Sequence, residues 1–158
     1  MRAMPLFSTN ASYRILLYGV SLALCLAPTG CRQTESVAPI VGVWVVTMPE
    51  APFPVHMIAF HADRTVVQSN PDAGHVTSSD SNAMGAWVRE GDGFRGKMVE
   101  ITADRPTHKF VSRGDITFQV KVSGDGLYGT GSAMFYDAAE HAVQGPINVT
   151  MQGKRVTP

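Results

Sequence analysis

Apolar and polar residues alternate with a period close to two over much of the chain after residue 40. The clearest case is residues 116–122, where Ile, Phe and Val alternate with Thr, Gln and Lys. Such alternation places successive side chains on opposite faces of a β-strand. With the turn-forming residues between them, the pattern predicts further strands over residues 42–48, 55–62, 65–68, 84–89, 94–103, 107–113, 127–137 and 143–152.

The segments between these strands are rich in Gly, Asp, Ser, Asn and Pro. Residues 69–82 are predicted to be a loop that caps one end of the sheet, and Gly114-Asp115 is predicted to be a turn. No helical periodicity follows residue 40, so we expect an all-β fold of eight or nine strands. The Cys…Trp…Cys spacing of immunoglobulin-type sandwiches is missing. A single antiparallel up-and-down β-barrel is therefore favoured, because closure removes the sheet edges.

The longest apolar run lies near the N-terminus, at residues 15–27, and it has the form of an export signal. Arg14 precedes the run, and Pro-Thr-Gly ends it just before Cys31. A short apolar core followed by small residues marks signal-peptidase cleavage, and a Cys there indicates lipid attachment. Residues 1–30 resemble a bacterial lipoprotein signal peptide, which implies lipidation of Cys31. Cleavage near Ala27 with ordinary secretion is the alternative.

After the signal, residues 31–40 are polar and then small, and we expect a flexible tether. The folded domain is predicted over residues 41–158. Cys25 lies in the apolar run, so Cys31 would be the lone cysteine of the exported chain, and no internal disulfide is expected. The predicted location is the cell envelope or the outside of the cell.

Charge and composition exclude some classes of function. Lys and Arg number 13, as do Asp and Glu, which gives a formal net charge of zero. Without a basic patch, nucleic acid is not an expected partner. The five histidines do not show metal-ligand spacing, so neither a metal nor a cofactor is expected. No nucleophile or paired-carboxylate motif is evident, which makes an enzyme the less favoured interpretation.

The first predicted strand carries Gly42-Val43-Trp44, and Arg155 follows the last strand. This pairing resembles the lipocalin (calycin) pattern. In that family the Trp of the first strand plugs the closed end of the barrel, and a basic side chain from the end of the chain packs across its indole. The resemblance implies structural roles for Gly42, Trp44 and Arg155, with Lys154 as the alternative to Arg155. The late Thr-Asp-Tyr motif and the C-terminal helix of full lipocalins are missing, so a short lipocalin-like domain of a bacterial lipoprotein fits better.

A ligand inside such a barrel would contact inward-facing aromatic and methionine side chains. The strand pattern offers six candidates: Phe60, Met98, Phe110, Phe118, Tyr128 and Tyr136. The small residues that alternate along 127–137 predict sharp coiling or close packing of that strand.

Two weak catalytic candidates depend on the phase of two strands. If Met98 points inward, Glu100 also lies inside the barrel, and if Phe110 points inward, His108 lies beside it. A buried carboxylate has a raised pKa and is able to exchange protons. The opposite phase places Val99 inside and Glu100 on the surface. The second phase is the favoured interpretation. Both faces of this strand mix polar and apolar residues, and a one-residue shift in register exchanges the two faces.

Three functions follow in order of preference. The first is an exported lipocalin-like barrel that binds a small apolar molecule in its interior without catalysis. The second is a small isomerase or cyclase, similar to the allene-oxide-cyclase-like barrels, with a polar pocket near Glu100 and His108. The third is a periplasmic protease inhibitor that acts through residues 32–39. A lipid anchor on Cys31 would make the membrane a further partner.

Overall fold

A computed structural model describes residues 36–70 and 75–158. The predicted signal peptide, Cys31 and residues 31–35 of the predicted tether lie outside the described residues. Within the described part there is no helix, and so none that is long and apolar enough to cross a bilayer. Its strands are β1 (Gly42–Thr47), β2 (Val55–Phe60), β3 (Thr65–Ser69), β4 (Ser78–Asp80), β5 (Ala83–Glu90), β6 (Gly93–Asp104), β7 (Phe110–Ser123), β8 (Gly126–Tyr136) and β9 (Ala142–Arg155).

Eight of these strands form a closed antiparallel barrel in the order β1-β2-β3-β5-β6-β7-β8-β9, and β9 pairs back onto β1. The closing pair aligns Trp44 with Arg155 and Thr47 with Gln152. Each barrel strand pairs with the next barrel strand along the chain, which is the up-and-down arrangement. The predicted all-β, antiparallel, closed fold is confirmed, and the barrel is compatible with a lipocalin-like fold.

The short strand β4 was not expected, because residues 69–82 lack apolar alternation and were predicted to be a loop. Ser78 pairs with Asp104, and Asp80 pairs with Thr102. The reason lies in β6, which is longer than its partner β5. The pairing of β5 with β6 ends at Val99, so the last residues of β6 are left with an unpaired edge, which β4 covers.

A second difference concerns β7, which continues through the predicted turn at Gly114-Asp115. Gly114 pairs with Glu100, and Asp115 pairs with Val99. A Cβ atom added at Gly114 would lie 2.8 Å from Cγ of Glu100 and 2.8 Å from Cε1 of Phe135. The glycine therefore leaves room for two neighbouring side chains and does not reverse the chain. The two predicted strands on either side of it are one strand.

The core fills the end of the barrel around Trp44. That side chain is fully buried, and its Nε1 donates a hydrogen bond of 2.8 Å to the carbonyl oxygen of Ile40. Ile40 is also fully buried, so packing against the barrel begins within the segment that was predicted to be tether. The core continues in edge-to-face aromatic contacts, with ring centroids 5.5 to 6.4 Å apart, among Phe60, Trp87, Phe94 and Phe118.

Arg155 lies across the indole of Trp44, with its guanidinium carbon 4.1 Å from the ring centroid. Its Nη1 donates to the carbonyl of Val41 at 2.8 Å, and its Nη2 donates to the carbonyl of Pro39. Gly42 has a φ of 136°, and a Cβ there would lie 2.6 Å from Nη1 of Arg155. The glycine thus gives the backbone an unusual conformation and leaves space for the guanidinium.

Candidate functional site

A cavity of about 460 Å³ occupies the end of the barrel opposite Trp44. It lies where β2 begins and β3 ends, whereas Trp44 packs where β8 begins and β9 ends. Much of its wall is apolar and comes from the loop after β1 and from β7, β8 and β9. The principal apolar lining residues are Phe53, Val111, Ile116, Phe135, Ile147 and Val149.

A larger depression of about 1010 Å³ lies on the outside of the barrel across β5 to β9. Its wall includes solvent-exposed side chains such as Lys97, Gln119 and Thr130. We take the interior cavity as the candidate site, because a closed sheet surrounds it and because buried polar side chains of the barrel line it.

The buried polar side chains of the lining come from β2, β3 and β6 and, with Ser112, from β7. Gln68 donates through Nε2 to Oδ1 of Asn70 at 2.8 Å. Asn70 in turn donates through Nδ2 to Oε2 of Glu100 and to the carbonyl of Ser81, the latter at 2.9 Å. Glu100 is 8% exposed. The Asn70 amide, which follows β3, therefore holds the carboxylate of Glu100 on β6 in one position.

His56 completes this group on β2. Its Nε2 lies 2.6 Å from the carbonyl of Phe53, and because a carbonyl only accepts, Nε2 carries the proton. Nδ1 is then an acceptor, and it faces Nε2 of Gln68 at 3.4 Å. Burial lowers the pKa of His56, while the Phe53 carbonyl opposes that shift. A neutral imidazole agrees with both contacts.

Glu100 has a raised pKa, chiefly because burial disfavours the charged carboxylate. The hydrogen bond from Asn70 partly offsets the shift, and the nearby charge of Asp80 adds to it. Asp80 accepts a hydrogen bond of 2.6 Å from Oγ1 of Thr102. The cavity thus holds one positioned acidic group in an environment from which much of the water is excluded, and a second acidic group near it.

The phase of β6 is the one that the sequence did not favour. Met98 and Glu100 point inward, whereas Ile101 is largely exposed. His108, the partner expected beside Glu100, lies in the connection between β6 and β7, where it is exposed and has a φ of 57°. The predicted Glu100–His108 pair is not brought together, because His108 precedes β7 and does not belong to its inward face.

Three of the predicted ligand-lining residues belong to the packed core. Phe60, Met98 and Phe118 are each at most 5% exposed, and they fill the barrel on the Trp44 side of the cavity. They point inward as expected, but they do not line the cavity. Aromatic contacts among core side chains occupy the space that a ligand would need there.

The other three predicted lining residues do not line the cavity either. Phe110 and Tyr128 are 44% and 53% exposed. Tyr136 lies under the guanidinium of Arg113, 5.3 Å from the guanidinium carbon to the ring centroid. Tyr128 and Tyr136 lie one and nine residues after Leu127, which is fully buried. Side chains an odd number of residues from Leu127 are on the outward face of β8, so both tyrosines face away from the barrel interior.

Sequence reasoning missed Phe53, His56, Gln68 and Asn70. Two of them carried a usable signal: His56 shares a strand face with Ile58, and Gln68 shares one with Val66, and both apolar residues are core. Phe53 and Asn70 lie outside the strands, so no periodicity could place their side chains.

Comparison with protein-family models, with curated proteins and with solved structures finds no match to this chain. In residues 36–70 and 75–158, no group of three or more His, Cys, Asp or Glu side chains is arranged to hold a metal ion. The functional argument therefore depends on the cavity and its lining.

Proposed function

We propose that this chain is an exported, lipocalin-like binding barrel whose interior cavity holds one small molecule with an apolar body. One observation carries the proposal: a cavity of about 460 Å³ within a closed barrel combines an apolar wall with a few convergent polar groups. Small-molecule sites typically have this size and composition, roughly 300–1,000 Å³. Binding would withdraw the apolar surface of the ligand from water, and the polar groups would orient it.

The closed sheet supports the proposal because it limits the conformational entropy that the protein loses when a ligand binds. The lining side chains Ile116, Ala133 and Ile147 stand on three adjacent strands in matched register. Their positions are held by backbone hydrogen bonds on both sides of each strand. A preformed wall of this kind loses little conformational freedom when a ligand binds.

A pair of tryptophan substitutions on β8 tests the site. Ala133→Trp places an indole in the cavity, whereas Thr130→Trp places the same group on the exposed outer face of the same strand. We expect the parent protein and Thr130→Trp to bind an apolar fluorescent dye with similar affinity, and Ala133→Trp to bind it at least tenfold more weakly. Native mass spectrometry of the three purified proteins should show an apolar molecule retained by the parent and by Thr130→Trp, and retained less by Ala133→Trp.

Equal dye binding by both variants would place the dye outside the cavity and would contradict the proposal. So would a parent protein that neither carries an apolar molecule in native mass spectra nor binds the dye. Thermal unfolding of each variant controls for damage to the barrel.

We also propose export with lipid attachment at Cys31. The apolar run at residues 15–27 and the Pro-Thr-Gly-Cys sequence that follows support it. In a bacterial host, the parent chain should incorporate a labelled fatty acid and fractionate with membranes, and Cys31→Ala should lose the label. A labelled Cys31→Ala protein, or an unprocessed parent chain in the cytoplasm, would contradict this proposal.

Acid–base catalysis in the same cavity is a second candidate, favoured by the raised pKa of buried Glu100. The group beside Glu100 is Asn70 and not His108, so a reaction would depend on one carboxyl group. Chromatography with mass spectrometry of a bound compound, recovered after prolonged incubation, distinguishes the two. An unchanged compound supports binding alone, and conversion that Glu100→Gln abolishes supports catalysis.

A further inference from the structure

The fixed charges that line the cavity have one sign. Glu100 on β6 and Asp80 on β4 are acidic, and no Lys or Arg is among the described lining residues. Arg105 lies close to the rim, where its Nε donates to the carbonyl of Ser78 at 2.8 Å, but it is not part of the lining. The described lining therefore places negative charge, and no Lys or Arg, around a ligand in the cavity.

Two imidazoles complete the titratable lining, and both serve as acceptors through Nδ1. His75 accepts from the backbone nitrogen of Ser78 at 3.2 Å, and His56 faces the Gln68 amide. Burial lowers the pKa of His56 and so favours the neutral ring. Neither imidazole contact requires a protonated ring, so the carboxylates remain without a cationic partner in the described lining.

Glu100 is held in place but is only partly satisfied. Among the described residues, the sole side-chain donor to its carboxylate is Nδ2 of Asn70, which reaches Oε2. No buried side-chain oxygen of the described residues lacks a partner, so the second oxygen, Oε1, has access to the cavity space. Glu100 is only 8% exposed and lines the cavity, and no described donor reaches its Oε1. Such an acceptor favours a ligand with a hydrogen-bond donor.

An apolar surface lies next to this acceptor. Both Cγ of Glu100 and Cε1 of Phe135 lie 2.8 Å from the position that a Cβ of Gly114 would take, so the carboxylate and the aromatic ring are neighbours over that glycine. Val111 and Ile116, also on β7, extend the apolar wall. A group bound to Oε1 would be flanked by hydrocarbon on this side.

Building on the proposed binding function, we propose that the cavity selects an amphipathic organic cation, meaning a protonated amine on an apolar body. The ammonium group donates to Oε1 of Glu100, Asp80 adds a second negative charge nearby, and the apolar body packs against Phe135 and its neighbours. An anion of the same shape, such as a fatty acid, would meet like charge from both carboxylates. An alcohol of the same shape would make the apolar contacts with the cavity wall but would not form the ion pair with Glu100.

Two matched sets of probes test this selectivity. The indole set is tryptamine, tryptophol and indole-3-propionic acid, and the alkyl set is dodecylamine, dodecanol and dodecanoic acid. We expect the amine of at least one set to bind the purified protein at least tenfold more tightly than its alcohol and its acid, as measured by calorimetry or by dye displacement. Glu100→Gln should remove the advantage of the amine and leave the affinity for the alcohol within about threefold, since this change removes the negative charge and keeps the size of the side chain. Glu90→Gln, on the outer surface, is the matched control and should change nothing.

A pH titration of the parent protein gives an independent test if Glu100→Gln folds poorly. Because burial raises the pKa of Glu100, lowering the pH protonates this carboxylate first, so the amine should lose its advantage while the alcohol keeps its affinity. The inference is overturned if no amine exceeds its alcohol in either set, or if the advantage persists in Glu100→Gln or at low pH. If the amine selectivity fails while Ala133→Trp still weakens dye binding, the proposed binding function stands. If Ala133→Trp also leaves dye binding unchanged, the binding function and the cation selectivity are both contradicted.

Discussion

At the scale of single residues, the closed end of the barrel depends on Gly42 and Trp44 at the start of β1 and on Arg155 at the end of β9. Arg155 joins the indole of Trp44 to two carbonyls of the segment that enters β1. A cation over a Trp face contributes on the order of 1 kcal/mol, and hydrogen bonds to a charged donor add about 1.5–3 kcal/mol. Gly42 permits this contact because it has no side chain where the guanidinium lies.

Removing the plug should be costly. We expect Trp44→Ala to lower the free energy of unfolding by about 3–5 kcal/mol, because it empties a fully buried site and leaves a cavity. Trp44→Phe should cost less, since it keeps a ring and loses mainly the hydrogen bond to Ile40. Urea unfolding followed by circular dichroism measures both. A loss below about 1 kcal/mol for Trp44→Ala would mean that this side chain does not stabilise the closed end.

The contact between Gly42 and Arg155 can be tested by comparing the loss of stability on alanine substitution at Gly42 and at a second glycine with positive φ. Gly42 and Gly91 both have positive φ, but a Cβ at Gly91 would meet nothing within 4 Å. Gly91→Ala should therefore cost about 1–2 kcal/mol, from backbone strain alone. Gly42→Ala should cost more, because the new methyl group displaces the Arg155 guanidinium and because a φ of 136° lies outside the left-handed region that Ala adopts at Gly91. Equal losses in urea unfolding would contradict the role given to that contact.

At the scale of elements, glycines at inward-facing positions of the strands allow neighbouring strands and side chains to approach closely. Gly96 on β6 pairs with Phe118 on β7, and a Cβ at Gly96 would lie 2.4 Å from Cζ of that ring. On β8, Gly129 approaches the backbone of β7 so closely that a Cβ would lie 2.1 Å from the carbonyl oxygen of Gln119. The alternating small residues of β8 thus accompany close packing of strands, as the sequence predicted.

Two alanine substitutions on β8 should differ sharply. Gly129→Ala drives a methyl group into the backbone of β7, and we expect a loss of about 2 kcal/mol or more. Gly131→Ala meets its nearest atoms at 3.2 Å, one of them on the movable side chain of Val149, and should change stability by less than about 1 kcal/mol. Thermal unfolding of both variants gives the comparison. A Gly131→Ala loss as large as that of Gly129→Ala would show that the close approach is not the cause.

At the scale of the whole molecule, the two ends of the barrel differ in what fills them. One end is packed with aromatic side chains around Trp44, and the other holds a cavity with buried polar groups. A binding site of this kind reduces stability, because space is left unfilled and a carboxylate is kept away from water. The packed end supplies the stability that the cavity end lacks.

The buried carboxylate makes stability depend on pH in a defined direction. Because the folded-state pKa of Glu100 is raised above its ordinary value, the folded state binds that proton more tightly than the unfolded chain does. Its ionisation destabilises the fold as pH rises from the unfolded pKa through the folded pKa. Glu100→Gln should therefore be more stable than the parent at pH 8, and the difference should shrink at pH 4.

Denaturant unfolding at several pH values tests this sign. Glu90→Gln is the control, because Glu90 is exposed and pairs with Arg95 on the surface. The effect of His56 cancels, since all three proteins contain it. A Glu100→Gln protein that gains stability relative to the parent as the pH falls would contradict the assignment.

Local sequence was sufficient for most of the strands and turns but not for the site. Alternation of neighbouring side chains and the turn residues predicted the barrel strands, and Gly42, Trp44 and Arg155 indicated how its closed end packs. The errors at β4 and at Gly114 have one cause. Ser78–Asp80 becomes a strand, and Gly114 stays within one, because of partners on β6 about 24 and 14 residues away along the chain.

The sequence by itself determined that the chain after residue 40 alternates with a strand period and carries turns between its strands, because both depend on neighbouring residues. Only the tertiary structure decided which phase of β6 faces inward, so that Glu100 is buried and His108 is not. It also brought Asn70 to Glu100 across 30 positions of sequence. The physical reason is register: the barrel closes through pairings between distant strands, and a shift of one residue would exchange the two faces of a strand.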